Sequence, residues 1–306
     1  MIIHSDTLAA LKKMEAETVD CVVTSPPYFG LRDYQVDGQI GLEETLEEYL
    51  NKLLAVTAEL KRVLKKSGIC FWNHGDCYGG SGKGYGSRPD PKFKSGGRER
   101  TLKPENTMPA KCLALQNYRL ITQMVDAQGW ILRNTIIWHK PNAMPSPVKD
   151  RLTNSYEPVF MLTKSKKYYF DLDAIREPYT KPLDRWGGDK LKAKGTSEWD
   201  KGTGQGTYRD RDMRPNKAGK NPGNVWRIAT QSFSGAHFAT FPEKLISPMI
   251  KAGCPGSGTV LDPFCGAGTT GVVAKKLGLN FIGIELNREY IEIAKKRIDQ
   301  YNSLDI

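Results

Sequence analysis

The sequence predicts an α/β protein built on a doubly wound, mostly parallel sheet. Strand-length apolar runs alternate with helical stretches at both ends of the chain. At 306 residues the chain exceeds the usual single domain. One large α/β domain with insertions, or two domains, is therefore expected.

The elements follow in order. Met1–His4 is a short β-type run, and Thr7–Met14 is a helix with Leu8, Leu11 and Met14 at helical spacing. Val19–Thr24 is a buried strand that stops at Ser25-Pro26-Pro27. Glu43–Lys66 is a long amphipathic helix, ended by Gly68, and Ile69–Trp72 is the next strand. Helix returns near Leu113–Ala127, then strands at Ile131–Trp138 and Glu157–Leu162. Thr240-Phe241-Pro242-Glu243 is expected to form a capping box opening a helix toward Ile250. Thr259–Leu261 is a strand, Asp262–Gly268 a Gly-containing turn and Thr269–Leu277 a helix. Asn280–Ile284 is a strand ending at Glu285, and Arg288–Gln300 a final helix.

Composition excludes several classes. The hydrophobic fraction of 39% allows a folded core. No apolar run approaches the length of a membrane-spanning helix, so no membrane partner is expected. Met1–Asp6 carries neither a basic nor a long apolar segment, so no secretory signal is expected. Six cysteines occur without a CxxC pair, which suggests neither a zinc site nor a disulfide framework. A reduced, cytoplasmic protein is the expectation.

The net charge is +11, and two stretches hold +10 of it: residues 79–106 with +4 and residues 181–227 with +6. Both are rich in Gly, Pro and Ser. They fit two solvated surface loops. They fit equally well flexible basic arms tracking a phosphate backbone, with Tyr85, Trp186, Trp199 and Tyr208 available for stacking.

Two constellations carry chemistry. The first is Val260-Leu261-Asp262-Pro263-Phe264-Cys265-Gly266-Ala267-Gly268-Thr269-Thr270, a strand, a tight turn and a helix. Its glycines let the backbone approach a ligand and aim helix N-terminal amides at it. Glu285, at the end of the next strand, suits the two hydroxyls of a ribose. The turn lacks a phosphate-loop GK[ST], so a nucleoside without a polyphosphate fits better. A tight turn beside a surface glutamate would read the same way.

The second is Val23-Thr24-Ser25-Pro26-Pro27-Tyr28, directly after a buried strand. Two prolines remove two N–H donors and leave acceptors: the Ser25 hydroxyl and the carbonyls of Ser25 and Pro26. Such an array suits an exocyclic NH2 group. Gripping both N–H bonds in a tetrahedral arrangement localises a lone pair otherwise delocalised into the base. Tyr28 offers a flat face for an extruded base. A proline-rich turn with Tyr28 packed inward is the plainer reading.

Together the two constellations resemble the DNA amino-methyltransferases. Their order, catalytic motif first and cofactor motif near the C-terminus, is similar to the β group of that family. The resemblance implies a Rossmann-like methyltransferase fold with permuted motif order and S-adenosylmethionine as cofactor. It implies a catalytic half at 1–170 with a basic mobile loop at 79–106, a target-recognition region at 171–227 and a cofactor half at 228–306. It assigns Ser25, Pro26, Pro27 and Tyr28 to the target amino group. Asp6 would accept from the cofactor's adenine. Phe241 and Pro242 would line the pocket. Asp262, Pro263, Phe264, Cys265, Gly266, Gly268 and Thr269 would surround the methionine portion, and Glu285 the ribose. The Ser form of the first catalytic position favours cytosine N4, with adenine N6 the alternative and RNA or a protein amide further behind.

The resemblance further implies double-stranded DNA as partner and a cognate restriction endonuclease as a candidate second partner. It leaves the oligomeric state open. Arg32, Lys83, Arg88, Lys140, Arg209 and Arg211 are candidate DNA contacts, with a local salt bridge for Arg32 and simple solvation for Lys140 as the alternatives. A sulfonium methyl is already activated, so no metal is called for. Methylation at cytosine C5 would need a cysteine nucleophile, and Cys254 and Cys265 read as packing residues. His74 and His237 read as structural.

Overall fold

A computed structural model describes residues 1–34, 36–79, 108–179, 216–231 and 241–301. Its strands are β1 (Ile2–His4), β2 (Val19–Thr24), β3 (Leu64–Asn73), β4 (Ile131–His139), β5 (Tyr156–Thr163), β6 (Val225–Arg227), β7 (Thr259–Asp262) and β8 (Asn280–Glu285). Its helices are α1 (Thr7–Lys13), α2 (Leu46–Val63), α3 (Gln116–Asp126), α4 (Glu243–Gly253), α5 (Thr269–Lys276) and α6 (Arg288–Asp299).

The eight strands form one sheet in the order β1-β8-β7-β2-β3-β5-β4-β6. Only β5 runs against the others, pairing antiparallel with β3 and β4. The sheet is covered on both faces, as a mostly parallel sheet must be. The period of two divides each strand between two cores. Val22, Cys70 and Trp72 face α1, α2 and α3 through Leu11, Leu53, Leu60 and Leu120. Cys21, Val23, Ile69 and Phe71 face α4 and α5 through Ile246, Met249, Ile250 and Val273.

Strand order explains how the chain's two ends meet. β7 and β8, from the C-terminal part, insert between β1 and β2 from the N-terminal part. Because these strands are parallel, their C-terminal ends emerge at one edge of the sheet. Loops following β1, β2, β7 and β8 are neighbours there, the usual location of ligand sites in open α/β sheets.

Several local expectations are corrected. The long helix begins at Leu46, not Glu43, because Thr45 caps it. The Thr45 hydroxyl accepts from the Glu48 amide at 3.1 Å, and the Glu48 carboxylate accepts from the Thr45 amide at 3.3 Å. It ends at Val63, and β3 starts at once; Gly68 lies inside that strand, where the chain bulges past the start of β2. No capping box opens α4: its N-cap is Pro242, Glu243 is its first residue, and Thr240 lies outside the described residues. The Glu243 carboxylate instead pairs with Lys276 of α5 at 2.6 Å. Val225–Arg227, read from sequence as part of the inserted region, is a strand of the sheet beside β4.

Contacts divide the chain into two units, residues 1–170 with 224–306, and residues 171–223. Described parts of the second unit are 171–179 and 216–223. They hold a single turn at Asp173–Ile175 and a bridge between Glu177 and Lys220, whose side chains pair at 2.9 Å. No helix among the described residues is long and apolar enough to cross a membrane.

Thr45→Ala should lower unfolding free energy by about 1 kcal/mol, because it leaves the Glu48 amide without its acceptor. Urea denaturation midpoints of the two proteins at one pH measure it. An unchanged midpoint would show that the α2 cap contributes nothing to global stability.

Candidate active site

Ser25, Pro26, Pro27 and Tyr28 leave the end of β2, and Pro263 to Gly266 leave the end of β7. Both groups line a single cleft of about 470 Å³, together with Asp6 and Glu285. That volume lies within the range of small-molecule sites.

Asp262 ties the two loops together. It is 1% exposed, and it accepts from Thr24 Oγ1 at 2.7 Å, Thr270 Oγ1 at 2.6 Å and the Phe264 amide at 3.1 Å. Burial pushes its carboxyl up to about 6, against the pull of those three donors. Asp262 is therefore an internal tie that does not itself border the cleft. Gly268 is also absent from the wall. It has φ +77°, and a Cβ there would stand 2.7 Å from Cβ of Ala294, so a side chain would push α6 off the turn. Pro242 is buried as the α4 N-cap and does not line the cleft either.

The remaining expected cofactor residues do line it: Asp6, Phe241, Pro263, Phe264, Cys265, Gly266, Thr269 and Glu285 all border the cleft. Asp6 caps α1, accepting from the Ala9 amide at 2.9 Å. Glu285 accepts from the Gly266 amide at 2.8 Å through one oxygen and from the Asn287 amide at 2.8 Å through the other. A carboxylate has about four lone-pair sites, and the Leu286 amide also leans on this one, so Glu285 keeps a site for one hydroxyl of a diol. Burial raises its pKa above the ordinary carboxylate value. An open cradle at Gly266, where a Cβ would meet nothing within 4 Å, and this carboxylate suit a nucleoside ligand.

Two hydrogen-bond chains hold the Ser25–Tyr28 loop. In the first, Trp72 Nε1 donates to His74 Nδ1 at 3.4 Å, His74 Nε2 lies 2.9 Å from the Tyr49 hydroxyl, and Tyr49 donates to the Pro27 carbonyl at 2.8 Å. Burial pushes His74 down to about 3, so the ring is neutral. Indole N–H can only donate, so Nδ1 must accept and Nε2 must carry the proton given to Tyr49. His74 is thus structural, as expected, and fixes where Pro27 sits. His237 lies outside the described residues.

In the second chain, Tyr28 donates to Glu157 Oε2 at 3.1 Å, and the hydroxyls of Ser25 and Tyr28 are 3.5 Å apart. Glu157 Oε1 takes an ion pair from Lys140, whose ammonium sits 4.3 Å from the centre of the Trp138 ring. Burial and the nearby Glu157 carboxylate push the Tyr28 phenol well above its ordinary range. Gly75 makes this packing possible, since a Cβ there would fall 2.7 Å from the Tyr28 ring and 3.4 Å from the Glu157 carboxyl carbon. Lys140 was expected on phosphate or in solvent; it is instead mostly buried, 18% exposed, in the cleft wall. Glu157 carried no motif in the sequence, because its pairing with Lys140 joins two strands that only the fold brings side by side. Arg32 also borders the cleft. Lys83, Arg88, Arg209 and Arg211 lie outside the described residues.

Asp262 yields a signed pH prediction. Its carboxyl binds a proton more tightly folded than unfolded, so stability falls as pH rises from its ordinary 3.8 to about 6. The wild type should lose about 3 kcal/mol through this residue across that window. Asp262→Asn should flatten the slope. Denaturation midpoints of both proteins from pH 4 to pH 7 test it, and parallel curves would refute the buried carboxylate.

Comparison with known proteins agrees with the geometry. A family model described as DNA methylase matches residues 19–296. The chain is 40% identical over 300 residues to the type II methyltransferase M.Cfr9I of Citrobacter freundii, covering 97% of this chain and 87% of that one. It is 30% identical over 306 residues to the DNA adenine methyltransferase YhdJ of Escherichia coli (strain K12), covering 97% and 82%. Among solved structures, PvuII DNA methyltransferase (cytosine-N4-specific) matches the fold with a TM-score of 0.64 at 20% identity, covering 99% of this chain and 91% of that one. Extent of the family match and identity to full-length relatives together place this chain in the DNA methylase family, among the β-group, S-adenosylmethionine-dependent DNA amino-methyltransferases.

Proposed function

We propose that this protein methylates cytosine N4 at a specific site in duplex DNA, acting on a base flipped out of the helix. The observation that carries the proposal is the single cleft shared by the Ser25-Pro26-Pro27-Tyr28 loop and the Gly266–Glu285 cradle. A base amine held by the first would face a nucleoside donor held by the second.

When bound, S-adenosylmethionine supplies a sulfonium methyl already activated for transfer. Glu285 would hold its ribose and Asp6 its adenine amino group, with Phe264, Gly266 and Thr269 around the methionine end and Phe241 on the wall. The chain's own contribution to chemistry is positional. The Ser25 hydroxyl and the Ser25 and Pro26 carbonyls accept from the base amine and draw its nitrogen toward a tetrahedral shape. The Pro27 carbonyl is anchored by the Tyr49 hydroxyl. Tyr28 gives the base a face to stack on, and its ring is held from behind by His74, 5.3 Å between centres. The amine loses its proton after transfer, when it has become acidic, so no strong base is required.

Residues 171–223 are read as the target-recognition region and the basic stretch at 79–106 as a DNA-tracking loop. Arg32, Lys83, Arg88, Arg209 and Arg211 are the proposed backbone contacts. A cytoplasmic enzyme paired with a cognate restriction endonuclease fits its type II relatives. Adenine N6 is the second reading, favoured by the Escherichia coli relative named as an adenine methyltransferase.

Methylome sequencing of DNA from cells expressing the protein reports base, position and motif together. N4-methylcytosine at one motif is the expected result; N6-methyladenine alone would reject the cytosine assignment. Ser25→Ala should cut turnover by roughly 100-fold, equivalent to about 2.7 kcal/mol of transition-state stabilisation, and leave cofactor affinity near wild type. Calorimetric binding beside a labelled-methyl assay measures both, and lost cofactor binding would show that Ser25 belongs to the other pocket.

A further inference from the structure

Hydroxyl groups can donate or accept, so a serine in a methyl-transfer site is useful only if its proton is kept out of the way. If the Ser25 O–H pointed at the base, it would meet an amine that itself presents two N–H donors. Something must fix the direction of that proton.

We propose that Glu157 is a positioning residue for methyl transfer: by accepting the Tyr28 phenolic proton, it forces the Ser25 hydroxyl to act as an acceptor toward the base amine. The argument rests on the reading of Ser25 as the residue that grips the amine. The Tyr28 hydroxyl is within 3.1 Å of Glu157 Oε2 and 3.5 Å of Ser25 Oγ. A carboxylate has no proton to give, so the phenol donates to it. The Gly75 amide takes one lone pair of the phenol oxygen, and the other is left for the Ser25 proton. Polarity runs one way, from Ser25 to Tyr28 to Glu157, and the Ser25 lone pairs are left facing the cleft.

Lys140 makes the arrangement single-valued. It carries only donors, and it takes Glu157 Oε1, so Glu157 offers Tyr28 its other oxygen. Gly75 leaves no room behind the pair, with its Cβ position 2.7 Å from the Tyr28 ring and 3.4 Å from the Glu157 carboxyl carbon. The four side chains Ser25, Tyr28, Lys140 and Glu157 all border the cleft.

Glu157→Gln tests the polarity because it keeps the shape. Lys140 would claim the amide oxygen, and the amide NH2 would turn to Tyr28. The phenol would then donate to Ser25 Oγ, and the Ser25 proton would point at the base. Labelled-methyl transfer from S-adenosylmethionine to unmethylated genomic DNA gives kcat and KM for each variant, and melting temperatures confirm folding. Tyr28→Phe, which keeps the ring and removes the link, should lower kcat roughly 10-fold, and Glu157→Gln roughly 100-fold, both with KM little changed. The double variant should return to the Tyr28→Phe level, so that the second substitution raises activity.

Multiplying losses in the double variant, or either single variant within twofold of wild type, would overturn the proposal. If Glu157→Gln fails to fold, Tyr28→Phe decides: kcat within twofold of wild type would overturn the proposal, and a 10-fold loss at constant KM would support it. A wild-type protein that transfers no methyl to DNA would reject the function itself. Active wild type with indifferent variants would reject only the role of Glu157.

Discussion

Asp262 is the interaction on which the site depends. It stands at the end of β7, yet two of its three donors come from other elements, Thr24 of β2 and Thr270 of α5. Those elements belong to loops separated by more than two hundred residues of sequence, |i−j| being 238 for the Thr24 bond. A buried carboxylate is costly without partners, and each donor offsets part of that cost. The strain is visible in the upward push of its carboxyl to about 6. The two loops are therefore not merely adjacent. They share one buried acceptor, and neither can shift without leaving it short of a donor.

Sheet topology makes that tie possible and shows why motif order along the chain is no obstacle. β7 sits between β8 and β2, so β2 from the head of the chain and β7 from the tail end at the same height. A ligand cradle that follows β7 and an acceptor loop that follows β2 meet whichever is translated first. Smaller ties repeat the pattern: Thr7 of α1 donates to the Pro263 carbonyl at 2.8 Å, and Arg297 of α6 donates to Thr269 Oγ1 at 3.1 Å.

Much of this was legible in the sequence because it lies in local chemistry. Alternation of apolar runs gave the strands and helices, and Ser25-Pro26-Pro27 and Gly266 could be placed at strand ends from residue type alone. What was not legible depends on partners distant in sequence. Asp262 reads like a ligand contact until Thr24 and Thr270 are seen to enclose it. Gly268 reads like a ligand cradle until Ala294 is seen against it. Lys140 reads like a solvated cation, and Glu157 like nothing at all, because their pairing crosses two antiparallel strands. Thr45 differs from these, because its cap signal with Glu48 is local and puts the helix start at Leu46 rather than Glu43.

Both polar chains at the Ser25–Tyr28 loop end in groups that have no choice of role. Trp72 can only donate, so His74 and Tyr49 must pass their protons toward the Pro27 carbonyl. The Glu157 carboxylate can only accept, so Tyr28 must point its proton away from Ser25. Hydroxyls and imidazoles are ambiguous alone, but a chain of them anchored at one end by a group of fixed polarity has one arrangement throughout. Two prolines cannot supply amide donors to stiffen the turn they form. Directional side-chain chains rooted in the core take over that task, and they leave the loop with acceptors on the side that borders the cleft.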